Sequence, residues 1–413
     1  MPLFKPFRGI RPHHDLVETF TTASIDNFTE EELHLKAGVD DSYVQMLKPF
    51  VCSKSKDVDR NLRKVRTNFE ELFHDKKLSQ DNAAFYLYEQ IMPDKTVYRG
   101  LLGLTSVEDF WNGKIKKHEA TITQRKEKFA HYLDKVKIQA EPVLLTYPSN
   151  SKIEVLMNLE EKNVPVANFT DKNGVRHKLW RIDNRLKLQQ YKEVIEQIDS
   201  FYIADGHHRI GSAALNAKNH LDKGKKHTGQ EGFNYVYSYI VSNQSIKIHD
   251  YNRLIKDLNG LTTEQFLKSL EKFFVIHEKG DVPYYPSQKY HLSMYVDGKF
   301  YSLHIKHDLR NKTGGLEDLD HYFLERNVIK EVLGMETKLS DKIGGFSKGN
   351  STVEGIAEIK ELVDNGEYAV GFAIHPLPFS DLVKISDLKQ KMPPKCTYIE
   401  PKLLTALVMY DMK

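Results

Sequence analysis

Hydrophobic and polar positions follow two rhythms along this chain, and they meet at one stretch. In Ser200-Phe-Tyr-Ile-Ala-Asp205 a short apolar run ends abruptly in an acid, and Gly206, His207, His208 and Arg209 follow it. Beyond them Ile210, Ala213, Ala214, Ala217 and Leu221 recur at the three- and four-residue spacing of a helical face. The stretch predicts a strand, a glycine turn and a helix. That order aims backbone N–H groups and the positive end of a helix dipole at one point in space.

The same reading extends in both directions. Helical pieces run through residue 78, notably 58–73, after an irregular lead-in at 4–14 whose Arg8 and Arg11 read as solvated. Two β-prone runs, 84–88 and 96–104, are separated by the turn residues Met92-Pro-Asp-Lys95 and predict a hairpin. Thr121-Ile-Thr-Gln124 matches a capping box, with Phe129, Tyr132, Leu133 and Val136 as the apolar face of the helix it would start. After a break at Ala140-Glu-Pro142, residues 143–147 read as a strand, 151–163 as a helix, and 164–182 as a hairpin turning at Asn173-Gly174. A helix over about 185–198, with Tyr191, Val194, Ile195 and Ile198 inward, delivers the chain to the opening strand. Residues 218–232, rich in Lys, Gly and His, read as an exposed loop, and 233–241 as a strand. Farther on, strands are expected at 289–296, 299–305 and 368–375, and helices at 264–273, 317–333 and 353–364. Strands alternating with helices predict an α/β (α+β) protein. A seam at 247–260 divides it into an N-terminal region, 1–245, whose core occupies about 84–245, and a second α/β domain, 246–413.

Bulk properties narrow the partners. At 413 residues, 40% hydrophobic and 28% charged, the chain is long enough for two globular cores. Its 60 basic and 57 acidic residues leave a net charge of +3, so no global field argues for nucleic acid. Cys52 and Cys396 lie too far apart in sequence for a local zinc module or a disulfide framework, and free thiols are expected. Met1–Arg8 lacks the apolar core of a signal peptide and no run approaches transmembrane length, so a cytoplasmic protein with no membrane partner is expected.

Chemistry concentrates in three places. The Asp205–Arg209 turn adds two imidazoles and a guanidinium to a helix start, a donor-rich setting for an anion, foremost phosphate. Zinc fits poorly there, because adjacent helical residues point about 100° apart whereas helical metal pairs sit at i and i+4. Glu119, flanked by Lys116, Lys117 and His118, is a carboxylate among cations and a candidate general base. Met392-Pro-Pro-Lys-Cys-Thr-Tyr-Ile-Glu-Pro-Lys402 is held in one shape by three prolines and presents Lys395, Glu400 and Lys402.

The Asp205-Gly-His-His-Arg209 motif followed by a small-residue helix resembles the signature of the ParB/sulfiredoxin superfamily, in which a glycine turn at a helix start binds nucleotide phosphates. The helix around 123–136, then Gln139-Ala-Glu-Pro-Val143 and a strand, is similar to the stretch preceding that motif in ParB-like domains. The whole chain resembles a full-length family described as a domain of unknown function. The matching runs are Phe7–Pro12, Lys117-His-Glu119, Asp205–Arg209, Asp250–Arg253 with Lys256–Asn259, and Met392–Lys402. The resemblance implies a ParB/sulfiredoxin-like phosphate-binding core with an N-terminal extension and a C-terminal domain closing over the site. It also implies a free serine kinase, pyrophosphate-dependent by its full-length relatives, supplying O-phosphoserine for cysteine biosynthesis.

Carried over residue by residue, Glu119, Asp205 and His208 become the catalytic group, with Asp205 also holding Mg²⁺. Gly206, His207, His208 and Arg209 would bind the donor phosphates; Arg253, Lys395 and Lys402 are added to them by their placement in rigid or matching segments, and His118, Thr121 and Arg125 are assigned the L-serine by their nearness to Glu119 in sequence. Sulfiredoxin chemistry is excluded, because it needs a cysteine where this chain has His207. A DNA-binding switch is disfavoured by the motif and by the charge balance. The remaining alternatives are a kinase using ATP or ADP and a non-catalytic phosphate- or nucleotide-binding regulator.

Overall fold

The computed structural model describes every residue except 54, 56, 223–226, 312–313, 336–343, 350–352 and 394, so the middle of the expected 218–232 loop lies outside the described residues. The chain is a mixed α+β protein that divides into two compact units. Unit 1 comprises Met1–Lys117, Thr121–Ile246 and Pro401–Lys413; unit 2 comprises His118–Ala120 and Lys247–Glu400. This is not a single cut near residue 245. The last residues return to unit 1, where Met409 and Ile10 exchange backbone hydrogen bonds of 2.8 and 2.9 Å. There Tyr410–Asp411 also pairs antiparallel with Ile138–Gln139. Pairings between chain ends leave no local sequence signal.

Unit 1 is built on a mixed nine-stranded sheet. Its order is Ile115–Lys116, Phe201–Asp205, Val143–Tyr147, Tyr235–Ser242, Val97–Ser106, Phe85–Ile91, Arg176–Ile182, Ala167–Thr170, with Phe4–Lys5 also on Val97–Ser106. Tyr235–Ser242 is buried along its whole length and Phe85–Ile91 along all but its last residue. Such strands read as near-continuous apolar and aromatic runs, not as alternations. Both expected hairpins form, Phe85–Ile91 with Val97–Ser106 and Ala167–Thr170 with Arg176–Ile182. The helix after the Gly206 turn runs His207–Leu221 and buries Ile210, Ala213, Ala214 and Ala217.

Two local expectations are corrected here. The helix at Thr123–Val136 is capped by Ile122 and has no side-chain cap bond, so the Thr121–Gln124 capping box does not form. A hydroxyl caps only from the N-cap position itself, and this helix begins one residue too late for Thr121. The lead-in is not solvated throughout either. Ile10–Pro12 is a strand on Leu78–Gln80, and Arg11 grips buried Asp81 through Nε at 2.6 Å and Nη2 at 2.9 Å.

Unit 2 carries a six-stranded antiparallel sheet ordered Phe274–Gly280, Lys299–Ile305, His291–Val296, Val370–Ile374, Tyr251–Ile255, Gly344–Lys348. Phe266, Leu270, Phe274, Met294, Leu303, Leu324, Val328 and Phe372 belong to its main core. The single helix expected at 317–333 is instead a 3₁₀ turn at Leu316–Asp318, an α-turn at Asp320–Phe323 and a π-helical stretch at Leu324–Val332. Cys52 and Cys396 are free thiols, the second fully buried. Among the described residues no helix is long and apolar enough to cross a membrane.

Candidate active site

The strand Phe201–Asp205 pairs with Ile115–Lys116 and Val143–Tyr147, and its register to the latter shifts between Ile203 and Asp205. Gly206 then takes φ +94°, a left-handed conformation that favours glycine. A Cβ at this position would meet Arg209 Nε at 3.0 Å. Gly206 is also the N-cap of the His207–Leu221 helix and offers no side-chain acceptor to the first-turn N–H groups. The strand end thus presents Asp205 beside a helix start whose cap is bare backbone.

Arg209 does not project freely toward a ligand as a bidentate phosphate clamp would. Its Nη2 lies 2.5 Å from Asp205 Oδ2 and its Nη1 lies 2.9 Å from Glu141 Oε1, while Nη1 also donates to the Pro142 carbonyl. Glu141 Oε2 in turn accepts from Ser24 Oγ at 3.0 Å. Burial pushes the Glu141 carboxyl up from its ordinary range, and Arg209 opposes that shift. The guanidinium therefore ties the motif to the Gln139–Val143 stretch. Sequence reasoning read Glu141 as part of a chain break and missed it as a partner. The signal available was its place in the resembling Gln139–Val143 run.

Asp205 is half-exposed and has a second cation at hand, Lys402 Nζ at 3.4 Å from Oδ1. Burial would raise the Asp205 carboxyl, but Lys402 and Arg209 outweigh it and hold it below the usual range. Lys402 is anchored from behind by Gln90 Nε2, which donates to its carbonyl at 3.1 Å. The return of Pro401–Lys413 to unit 1 thus brings one sequence-chosen cation to the motif.

His207 is not a cation at neutral pH. Desolvation pushes it down to about 3, with Asp205 opposing and with His208, Lys117 and Arg209 adding to the depression. It is a buried neutral imidazole, so the positive charge of the site comes from Lys402, Lys117 and Arg209. Lys117, treated in sequence only as a flanking cation of Glu119, is the second residue that sequence reasoning missed. His208 is half-buried, and its carbonyl accepts from Ser212 Oγ at 2.7 Å. Thr121 lies beside the same helix, since a Cβ on Gly211 would meet Thr121 Cγ2 at 3.7 Å. Arg125 is exposed and pairs with Asp26.

His118, Glu119, Arg253 and Lys395 belong to unit 2. The Met392 N–H donates to the His118 carbonyl at 2.8 Å, and Glu119 is half-buried and close enough to Cys396 to raise its thiol. Arg253 is 3% exposed. Its Nη1 donates to the Lys395 carbonyl at 2.7 Å, its Nη2 lies 3.6 Å from Glu325 Oε1, and it stacks over Phe346 at 4.6 Å. The side chain expected to touch phosphate is thus buried in a structural network. Lys395 itself is exposed, with φ +56°. Glu400 pairs with His249 at 2.9 Å.

The fold and this turn define a mixed α+β protein with a glycine-capped helix start between an acid and cations. Residues 4–322 match the family described as protein of unknown function (DUF1015), and the chain belongs to that family. No curated protein matches it. Similar solved structures include a free serine kinase in complex with AMP, at 15% identity over 73% of this chain and 87% of that one, with a TM-score of 0.37. A conserved hypothetical protein from Pyrococcus furiosus is similar at 14% identity, 72% and 89% coverage and a TM-score of 0.34. SbnI with a C-terminal truncation, from Staphylococcus aureus, is similar at 10% identity, 74% and 85% coverage and a TM-score of 0.37.

Proposed function

We propose that this chain is a phosphotransferase with a ParB/sulfiredoxin-like core that makes O-phospho-L-serine from free L-serine, with pyrophosphate as donor, and so feeds cysteine biosynthesis. One observation carries the reading. Gly206 caps the His207 helix with bare backbone while Asp205 and Lys402 stand at the same turn. Phosphoryl transfer asks for little more than positioning, charge neutralisation and a base. In the proposed step the serine hydroxyl oxygen attacks one phosphorus, the bridging P–O bond breaks, and orthophosphate leaves. Glu119 is assigned the hydroxyl proton, an assignment that rests on its Lys-His-Glu context.

The remaining roles follow from placement. Gly206 and the first-turn N–H groups of His207 and His208, with Lys402, receive the donor phosphates. Neutral His207 contributes an imidazole N–H, not a charge. Arg209 fixes Asp205 and the Pro142 segment and keeps spare N–H donors for phosphate. Lys395 is proposed as an exposed phosphate contact, with Arg253 holding its carbonyl. Serine is assigned to His118, Thr121 and Arg125, and Arg125 would exchange Asp26 for the substrate carboxylate. Asp205 suits a hard divalent cation, being an ionised, half-exposed oxygen donor whose Oδ1 contact with Lys402 is long at 3.4 Å. It would hold Mg²⁺, which would neutralise charge on the donor phosphates.

A nucleotide donor is the second reading, and one feature of unit 1 favours it. Arg209 also lines a pocket walled by Tyr43, Phe50, Phe129 and Tyr132, an apolar setting suited to a base. Following ³¹P signals from serine with Mg²⁺ and pyrophosphate, ATP or ADP in turn tests both. Phosphoserine from pyrophosphate supports the first reading, phosphoserine from nucleotides alone the second, and binding without turnover a regulator.

A further inference from the structure

We propose that His13, His14 and Asp15 form a binding site for a borderline divalent transition-metal ion, with Zn²⁺ as its representative. One ligand atom from each of the three lies within 4.8 Å of the other two. His13 is the extended N-cap (φ −55°, ψ 149°) of the 3₁₀ turn His14–Leu16, so the adjacent rings are not held at helical spacing, and both approach one carboxylate. His13 Nδ1 lies 3.4 Å from Asp15 Oδ2, and His14 Nε2 lies 3.1 Å from Asp15 Oδ1. Each imidazole nitrogen approaches a different oxygen of that carboxylate, at separations close to the donor spacing of about 3.3 Å that a tetrahedral ion with ligand bonds near 2.0–2.1 Å sets. The two imidazole rings lie side by side, 4.2 Å apart and tilted by 48°.

The backbone beneath is fixed and the side chains above it are exposed. The His13 N–H donates to the Lys77 carbonyl at 2.8 Å, and the Leu16 N–H closes the turn on His13 at 2.9 Å. The side chains of His14 and Asp15 are more than 70% exposed, so an ion reaches them without burying charge. His14 and Asp15 also line a cavity of about 320 Å³ that includes Glu18 and Asn168 and leaves room for water or a small anion as a further ligand. Two imidazoles and one carboxylate favour Zn²⁺, Co²⁺ or Ni²⁺ over Mg²⁺, which prefers oxygen. The three ligands are consecutive in sequence, so the ion closes no long loop and stabilises the fold only by mass action.

Calorimetric titration of the tag-free chain with Zn²⁺, and the visible spectrum of its Co²⁺ form, test this site without any assay of activity. One ion is expected to bind with a four- or five-coordinate Co²⁺ spectrum that excess Mg²⁺ leaves intact. His14→Ala and Asp15→Asn should each weaken Zn²⁺ by about ten-fold or more, and His13→Ala/His14→Ala should abolish the spectrum. These are exposed side chains on a hydrogen-bonded turn, and circular dichroism checks that the variants stay folded. Unchanged binding in the double variant, which would place the ion on other histidines, overturns the proposal. So does the absence of binding by the parent chain.

Discussion

Arg209 and Asp205 are joined across the Gly206 turn at 2.5 Å, and the other arm of the same guanidinium meets Glu141 at 2.9 Å. One side chain therefore connects the motif turn to the segment before Val143. Replacing Arg209 by Lys keeps the charge and loses the fork. Arg209→Lys is expected to cut turnover by roughly 10- to 100-fold through misplacement of Asp205. Arg209→Ala should also destabilise unit 1 by about 1–2 kcal/mol, between the values for exposed and buried pairs because both carboxylates keep some solvent access. Urea unfolding beside steady-state kinetics separates the two effects.

His207 gives the site a pH signature. Its folded value is pushed down to about 3 by burial, against 6.5 when unfolded, so the unfolded chain binds the extra proton between these limits. The neutral ring's contribution is complete above about pH 6.5 and is lost as pH falls toward 3, by up to about 1.4 kcal/mol per pH unit. His207→Gln should unfold with a visibly flatter stability profile between pH 7 and 5 than the parent. Parallel profiles would mean that His207 is solvated and charged.

Much of this arrangement was legible in sequence because its causes are local. Apolar spacing located the Phe201–Asp205 strand and the helix from His207, and the left-handed turn needed a glycine at 206. Asn173-Gly174 announced its hairpin in the same way. What sequence did not disclose are side-chain meetings across long separations, such as Arg11 with Asp81, Glu141 with Arg209, and Lys402 with Asp205. No periodicity encodes these. The neutrality of His207 is hidden from the sequence for a related reason, since burial in the folded chain decides it.

In unit 2, Arg253 is expected to act through the Lys395 loop it holds. Burial pushes the Cys396 thiol up to about 12, with Arg253 pulling the other way, so Cys396 in the parent chain should resist thiol reagents that reach the half-buried Cys52. Arg253→Met should free the Lys395 carbonyl and leave Glu325 without its cation, raising the Cys396 labelling rate at least ten-fold and lowering stability by about 3–5 kcal/mol. Arg253→Lys should rescue part of the stability. Equal labelling in parent and Arg253→Met would remove the anchoring role.

Glu119 is the base in the proposed reaction and has no assigned part in holding the donor. Glu119→Gln should lower turnover by about 10² to 10⁴-fold while leaving pyrophosphate affinity, read by calorimetry, within a factor of about two. An unchanged rate would return the base to another residue.

The most direct measurement is product formation itself. The purified chain is incubated with L-serine, Mg²⁺ and pyrophosphate, and ³¹P spectra are followed for O-phosphoserine and orthophosphate appearing in equal amounts. The account expects that stoichiometric pair, its loss in Glu119→Gln and Asp205→Asn, and no comparable product from ATP or ADP. Phosphoserine formed only from a nucleotide would contradict the choice of donor, and no phosphoserine from any donor would contradict the kinase itself.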